Sequence, residues 1–205
     1  RNKIALVTGA GSGIGEATAL LFAKNGASIV LADMDMDGAN RVLAAIEKEG
    51  GKGMVMKTDV SKPAECEKLV SEAVKKFGRL DIAVNNAGIG GPAAAIGDYP
   101  IDGWDKVIAV NLSGVFYGMR YQIPAMLKNG GGTIVNMASI LGKVGFPMSS
   151  AYVSAKHGVV GLTENAALEY ATQGVRVNAV GPGFIRTPLL DNNLNAEQLA
   201  GIAAM

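Results

Sequence analysis

Six short apolar runs, each parted from the next by a longer stretch of mixed polarity, limit this chain to a narrow set of folds. The runs fall at residues 3–8, 28–32, 53–57, 80–85, 133–137 and 175–180. Several are unbroken Val, Ile, Leu, Ala or Met, a composition that strands carry when both of their faces are covered. Between the runs, residues 14–25, 38–49, 64–77, 104–127 and 152–172 have helical spacing. Pro63 after Ser61 is a helix-start signal, and Gly26, Gly50, Gly78 and Gly174 each follow a helical segment. Alternating strand and helix predict an α/β fold, a doubly wound, mostly parallel sheet with helices on both faces. No repeat, linker or low-complexity tract breaks the pattern, so residues 1–205 read as one domain. A chain of that length can bury roughly 70% of its unfolded surface.

Charge and cysteine content remove whole classes of partner. Formal net charge is +1 with both signs interleaved, and no basic run suggests a nucleic-acid stripe. Cys66 is the one cysteine, which excludes an internal disulfide and fits a reducing, cytoplasmic setting. Its expected place is as a small residue on a helix. No apolar run approaches the roughly 18 residues of a membrane span, and no signal peptide is visible. The chain opens on Arg1 and closes on an apolar run, residues 199–205, without a stop signal. Its C-terminal end therefore reads as missing.

The first strand runs straight into Thr8-Gly9-Ala10-Gly11-Ser12-Gly13-Ile14-Gly15. Glycines there let backbone N–H groups approach a pyrophosphate, and a helix N-terminus favours its charge. The spacing departs from the general Rossmann Gly-x-Gly-x-x-Gly, and no Gly-Lys-Ser/Thr closes it as a Walker A loop would. Asp33 ends the second strand, 18 residues beyond Gly15. From that position a carboxylate can accept hydrogen bonds from adenosine ribose hydroxyls. A 2′-phosphate would meet its negative charge, and Met34, Ala10 and Ser12 supply no compensating cation. NAD is favoured over NADP on that ground.

Tyr152 and Lys156 stand four residues apart in the last long helical segment, and so share a helix face. A phenol with a pKa of about 10 is a poor proton carrier at neutral pH. A lysine cation nearby favours the phenolate and is expected to bring that pKa down. Ser139 lies upstream, at the end of the fifth strand.

With these residues in place the chain resembles the short-chain dehydrogenase/reductase family in its compact single-domain form, from Lys3 to about Leu189. The family's Thr-Gly-x-x-x-Gly-x-Gly corresponds to Thr8–Gly15, its Asp-Val to Asp59-Val60, and its Asn-Asn-Ala-Gly to Asn85–Gly88. The helix asparagine corresponds to Asn111, the serine to Ser139, and the Tyr-x-x-x-Lys pair to Tyr152 and Lys156. Pro182-Gly183, with Thr187 following, completes the set.

The resemblance implies hydride transfer between a nicotinamide cofactor and a secondary alcohol or ketone. Tyr152 would be the acid/base. Lys156 would lower its pKa and hold the nicotinamide ribose, and Ser139 would steady the substrate oxygen. Asn111 would anchor a water that links Lys156 to solvent. Gly9, Ser12, Gly13, Ile14 and Gly15 would take the phosphates, Asp33 the ribose, and Asp59 and Val60 the adenine. Asn86, Ala87 and Gly88 would line the cleft, with Pro182, Gly183, Ile185 and Thr187 near the carboxamide and phosphates. The family also implies a homo-oligomer, dimer or tetramer, and a substrate lid of which residues 188–205 would be the first part.

Other residues invite weaker readings. His157 is five residues from Tyr152 and so points elsewhere on the helix; it reads as packing or interface, with no metal-ligand cluster beside it. Trp104 reads as a helix anchor, Asn85 as a bridge between strands, and the nine methionines as core and cleft filling. The loops expected to select substrate, residues 89–98 and 140–150, are apolar, and Lys143 is their one cation. They suit an uncharged, fairly hydrophobic substrate such as a cyclic or aliphatic ketone. A 3-oxoacyl thioester reductase and a non-catalytic NAD-binding regulator are the alternatives.

Overall fold

The computed structural model describes residues 2–193. Six strands form one all-parallel sheet: β1 Ile4–Thr8, β2 Ser28–Asp33, β3 Lys52–Lys57, β4 Ile82–Asn85, β5 Gly132–Met137 and β6 Val175–Val180. Their order across the sheet is β3-β2-β1-β4-β5-β6. The chain winds outward in one direction from β1 and then in the other from β4. Between these two strands the order reverses, and such a reversal opens a crevice at the carboxyl ends of the strands.

Period-two alternation explains how unbroken apolar strands serve two cores. In β1, Ile4 and Leu6 join one buried cluster with Val30, Leu69, Met119 and Ile134. Ala5 and Val7 face the other way and join Ile29, Leu31, Val42 and Ile46. Helices α1 Gly13–Lys24, α2 Met36–Lys48, α3 Pro63–Phe77, α4 Ile101–Ile108, α5 Gly114–Leu127 and α6 Ser150–Tyr170 surround the sheet. A short α7, Pro188–Asn193, follows β6. The remainder of the expected lid, residues 194–205, lies outside the described residues. No described helix is long and apolar enough to cross a membrane.

Two helix boundaries differ from the sequence reading for physical reasons. α2 begins at Met36, not near Gly38, because the Asp35 carboxylate accepts from Asp37 N and Gly38 N, both at 3.1 Å. That is an N-cap, and it nucleates the turn before the apolar stripe starts. Residues 104–127 are not one helix. α4 starts at Ile101, and a π-helical turn, Ala109–Ser113, separates it from α5. Asn111 sits fully buried in that turn.

Polar groups fasten the layers at two depths. Asp81, buried before β4, accepts from Ile4 N at 2.9 Å and from Lys3 Nζ and Arg79 Nε at 3.0 Å. Burial alone would raise its pKa, yet these donors hold it below the usual carboxylate value. Deeper in, Asn85 Nδ2 donates to Asn136 Oδ1 at 2.9 Å, and Gln122 Nε2 donates to Asn85 Oδ1 at 2.8 Å. Asn136 Nδ2 continues to Thr163 Oγ1 at 3.0 Å. Asn85 thus bridges side chains of β5 and α5, where the sequence suggested a bridge between strands. Cys66 is buried on α3 with Sγ 3.4 Å from Val60 O, and desolvation pushes its thiol up to about 11. A thiol so placed is inert.

Candidate active site

The crevice at the β1/β4 reversal holds two adjoining lobes. The first, about 680 Å³, is floored by Gly9, Ser12, Gly13 and Ile14 at the start of α1. Asp33 and Asp59-Val60 form its far wall, and Asn86–Gly88 its near one. Thr8 Oγ1 accepts from Asn86 N and Ala87 N, each at 3.0 Å, while Asn86 Nδ2 donates to Thr8 O and Gly9 O. The loops after β1 and β4 are therefore sewn together under the crevice. Gly9 takes φ +63° with Ala87 against it, so a side chain there would meet Ala87 Cα at 2.9 Å. Bare backbone at this point is a steric requirement.

Asp33 does two jobs in the wall. Its carboxylate accepts from Gly11 N at 2.7 Å and from Asp35 N at 2.9 Å, which pins the glycine turn to the end of β2. On the outside of that turn Arg41 donates to Gly11 O at 3.0 Å and pairs with Glu16, joining α2 to α1. Asp59 accepts from Ser61 Oγ at 2.6 Å, chiefly for which reason its pKa lies below the ordinary value.

The second lobe, about 470 Å³, shares Ile14, Asn86, Gly88, Thr187 and Leu189 with the first. Ser139, Tyr152 and Lys156 sit on its wall, and most of the rest is apolar, with Ile140, Phe146, Met148 and Phe184 among its lining. β5 delivers Ser139, whose Oγ accepts from Leu141 N at 3.1 Å and starts a short 3₁₀ turn. α6 delivers Tyr152 and Lys156 on one face, with the Lys156 ammonium 5.5 Å from the Tyr152 ring centroid.

The sequence profile of the short chain dehydrogenases matches residues 3–198. The chain belongs to that family. It is 50% identical over 198 residues to a cyclohexanol dehydrogenase of Acinetobacter sp. (strain SE19), covering 97% of this chain and 79% of that protein. A crystal structure of levodione reductase superposes with a TM-score of 0.91 at 40% identity, covering 94% of this chain and 76% of that one. NAD+-bound xylitol dehydrogenase follows with a TM-score of 0.87 at 37% identity, covering 89% and 70%.

In this short chain dehydrogenase, Gly15 and the side chain of Asn111 stand back from the two lobes. Gly15 lies beneath the turn, outside both lobes, where a Cβ would fall 2.0 Å from Gly9 O. Its lack of a side chain serves packing of the turn on α1. Asn111 likewise lines neither lobe. Its Nδ2 donates to Ile89 O and its Oδ1 accepts from Ile89 N, both at 2.8 Å, so the side chain is committed to the loop after β4.

The Lys156 ammonium stands beside the Tyr152 ring and is itself held from behind. Its Nζ donates to Met137 O at 2.6 Å. Burial pushes the Tyr152 phenol above its usual value, against a smaller lowering by Ser139. The same burial pulls the Lys156 ammonium down to about 8. The other anticipated residues, among them Pro182, Gly183, Ile185 and Thr187, do face the crevice. Thr8, Thr58 and Phe184 add to the site; only Thr8, inside the glycine motif, carried a local signal.

Stability should register the buried lysine. Between about pH 8 and the unfolded value near 10.5, the unfolded chain holds a proton on Lys156 that the folded chain has lost. Stability from this group therefore rises with pH across that window. The raised phenol of Tyr152 acts oppositely, above its unfolded value of about 10. Lys156→Met should flatten the rise between about pH 8 and 10 in urea melts. An unchanged slope would show that Lys156 titrates as an exposed amine.

Nicotinamide dinucleotide suits these residues. Bare backbone and a helix N-terminus await the pyrophosphate at one end, a carboxylate stands at the ribose position, and a phenol, hydroxyl and ammonium meet at the other. Among the described residues no group of His, Cys, Asp or Glu could hold a metal ion. His157 is exposed, with Nδ1 2.9 Å from Val153 O.

Proposed function

We propose that the chain oxidises uncharged, largely apolar secondary alcohols, alicyclic ones foremost, with NAD, and reduces the matching ketones with NADH. One observation carries this reading: Ser139, Tyr152 and Lys156 stand where an apolar lobe opens onto a nucleotide-shaped one. The cyclohexanol dehydrogenase and levodione reductase names of its relatives support a ring substrate.

In the oxidative direction the substrate hydroxyl sits against Ser139 Oγ and Tyr152 Oη. Tyr152 takes the hydroxyl proton, and Ser139 donates a hydrogen bond to the oxygen as it becomes a carbonyl. The nicotinamide ring supplies the acceptor for the hydride leaving the same carbon. Lys156 holds the ribose hydroxyls and passes charge compensation to the phenolate. Because the Asn111 side chain is committed to Ile89, a water that carries the proton outward would rest on the main chain of the π turn. Ile140, Phe146 and Phe184 in the lining give the substrate apolar surface to pack against.

Asp33 supports NAD as the preferred cofactor. Its carboxylate would repel a 2′-phosphate, and Met34 offers no cation in return. Asp33→Asn keeps an acceptor for Gly11 N, gives up the one for Asp35 N, and removes the charge. The ratio of NADPH to NADH affinity should rise at least about tenfold, since one like-charge contact is worth a few kcal/mol in discrimination. Fluorescence titration with both nucleotides measures it, and a wild-type preference for NADPH would overturn the assignment. Turnover of cyclohexanol, cyclohexanone and short keto acids tests the substrate class; preference for the keto acids would end it.

A homo-oligomer is in keeping with Phe116 on α5 and Leu168 on α6, exposed at 47% and 84%. A monomeric mass by light scattering would remove that reading.

A further inference from the structure

We propose that Met148 is the residue that sorts ring substrates in the apolar lobe, which rests on the alicyclic-alcohol reading above. Met148 has φ +64°, and Asn2 is the one other non-glycine with positive φ among the described residues. Asparagine tolerates the left-handed region because its short polar side chain bonds locally; an unbranched apolar side chain has no such relief. A strained residue of this kind persists only where its surroundings over-determine it.

The surroundings are explicit. Ala94 N donates to Met148 O at 3.1 Å, and Ala94 pairs with Ser149 as an isolated parallel bridge. The loop after β4 thereby grips the loop after β5 just before α6 begins. On another side, Phe146 and Phe184 lie 6.0 Å apart with their planes at 55°, so the loop after β6 closes against the same segment. All three loops meet around the second lobe, and Met148 lines it while remaining 49% exposed.

Glycine would adopt this backbone without strain and still offer the carbonyl to Ala94. A clasp alone therefore gives no reason for a large side chain at position 148. What methionine adds is a flexible, polarizable stem at the wall of the lobe, able to fill space beside a small ring and to shift for a larger one. Met148 in this arrangement determines how much ring the lobe accepts, at a distance from the Ser139–Tyr152 chemistry set by the clasp.

The test compares wild type with Met148→Gly and Met148→Leu on cyclohexanol and 4-tert-butylcyclohexanol, with NAD. Wild-type turnover of these alcohols tests the parent reading. A wild type inert on both would sink that reading and the role of Met148 with it. Given turnover, Met148→Gly should lower kcat/KM for cyclohexanol about tenfold, within the range for lost apolar contacts in a pocket. For the bulky ring kcat/KM should hold or rise, so the ratio of the two shifts at least about tenfold. Met148→Leu, which keeps the bulk, should leave the ratio close to wild type. Thermal stability of Met148→Gly should not fall, because strain is relieved as contacts are lost. An equal loss on both alcohols would reduce Met148 to a structural part of the clasp. Unchanged kinetics in Met148→Gly would overturn the proposal outright.

Discussion

Tyr152→Phe is expected to cut kcat by about 10²–10⁴-fold while NADH affinity stays within about twofold. The ring is retained, so packing in the apolar lobe and against Lys156 survives. What is lost is the hydroxyl proposed to exchange a proton with the substrate oxygen. The effect should be largest on kcat, because the proton moves in the transition state and contributes little to ground-state binding. Raised by burial, the phenol also implies that alcohol oxidation in wild type gains rate as pH increases. That dependence should vanish in the residual activity of Tyr152→Phe. Stopped-flow measurements with nucleotide titrations separate the two quantities, and a variant with near-normal kcat would dismiss Tyr152 as the proton carrier.

Gly15→Ala is the second large effect, and it acts through backbone. A Cβ at position 15 would lie 2.0 Å from Gly9 O and 2.6 Å from Asn86 Nδ2. Neither neighbour is the free end of a flexible chain: Asn86 is held by Thr8 and Gly9. The turn must lift from α1, at an overpacking cost of about 1–3 kcal/mol. For a chain of this size that is a fall in Tm of about 2–12 °C. Lifting the turn also moves the helix N-terminus proposed to meet a pyrophosphate, so NADH affinity should drop at least about tenfold. Gly97→Ala provides the comparison, since nothing lies within 4 Å of its added Cβ; it should alter neither quantity. A Gly15→Ala protein with native melting and binding would show that the turn is more compliant than its contacts imply.

Strand and helix alternation was legible because it is local: each apolar run had to be covered on both faces, whichever neighbours it found. The glycine turn, Asp33, and the Tyr152–Lys156 pair were legible for a similar reason, each being a short stretch with its own spacing. What could not be read depends on residues distant in the chain. Asn111 engages Ile89 across 22 positions, and nothing in either segment announces the pairing. Gly15 was legible as part of the motif, whereas its close contact with Gly9 O was not. The phenol of Tyr152 was expected to be governed by a lysine four residues away. Burial, a property of the whole fold, pushes it up. Met148 was legible as one apolar residue of the 140–150 loop, but its left-handed backbone was not, since nothing in a methionine announces it.

The π turn at Ala109–Ser113 sets a rule for how this segment tolerates insertion and deletion. Each residue of an α-helix advances the chain by about 100° around its axis. A π turn spends one residue more than an α turn to reach the same level, so α4 and α5 are offset in phase by that amount. Deleting any one residue within 109–113 would permit an unbroken helix with better local geometry. It would also rotate α4, Trp104 included, by about a quarter turn relative to α5. A segment that gains local regularity by losing a residue, yet keeps it, has its length fixed by the parts at its two ends.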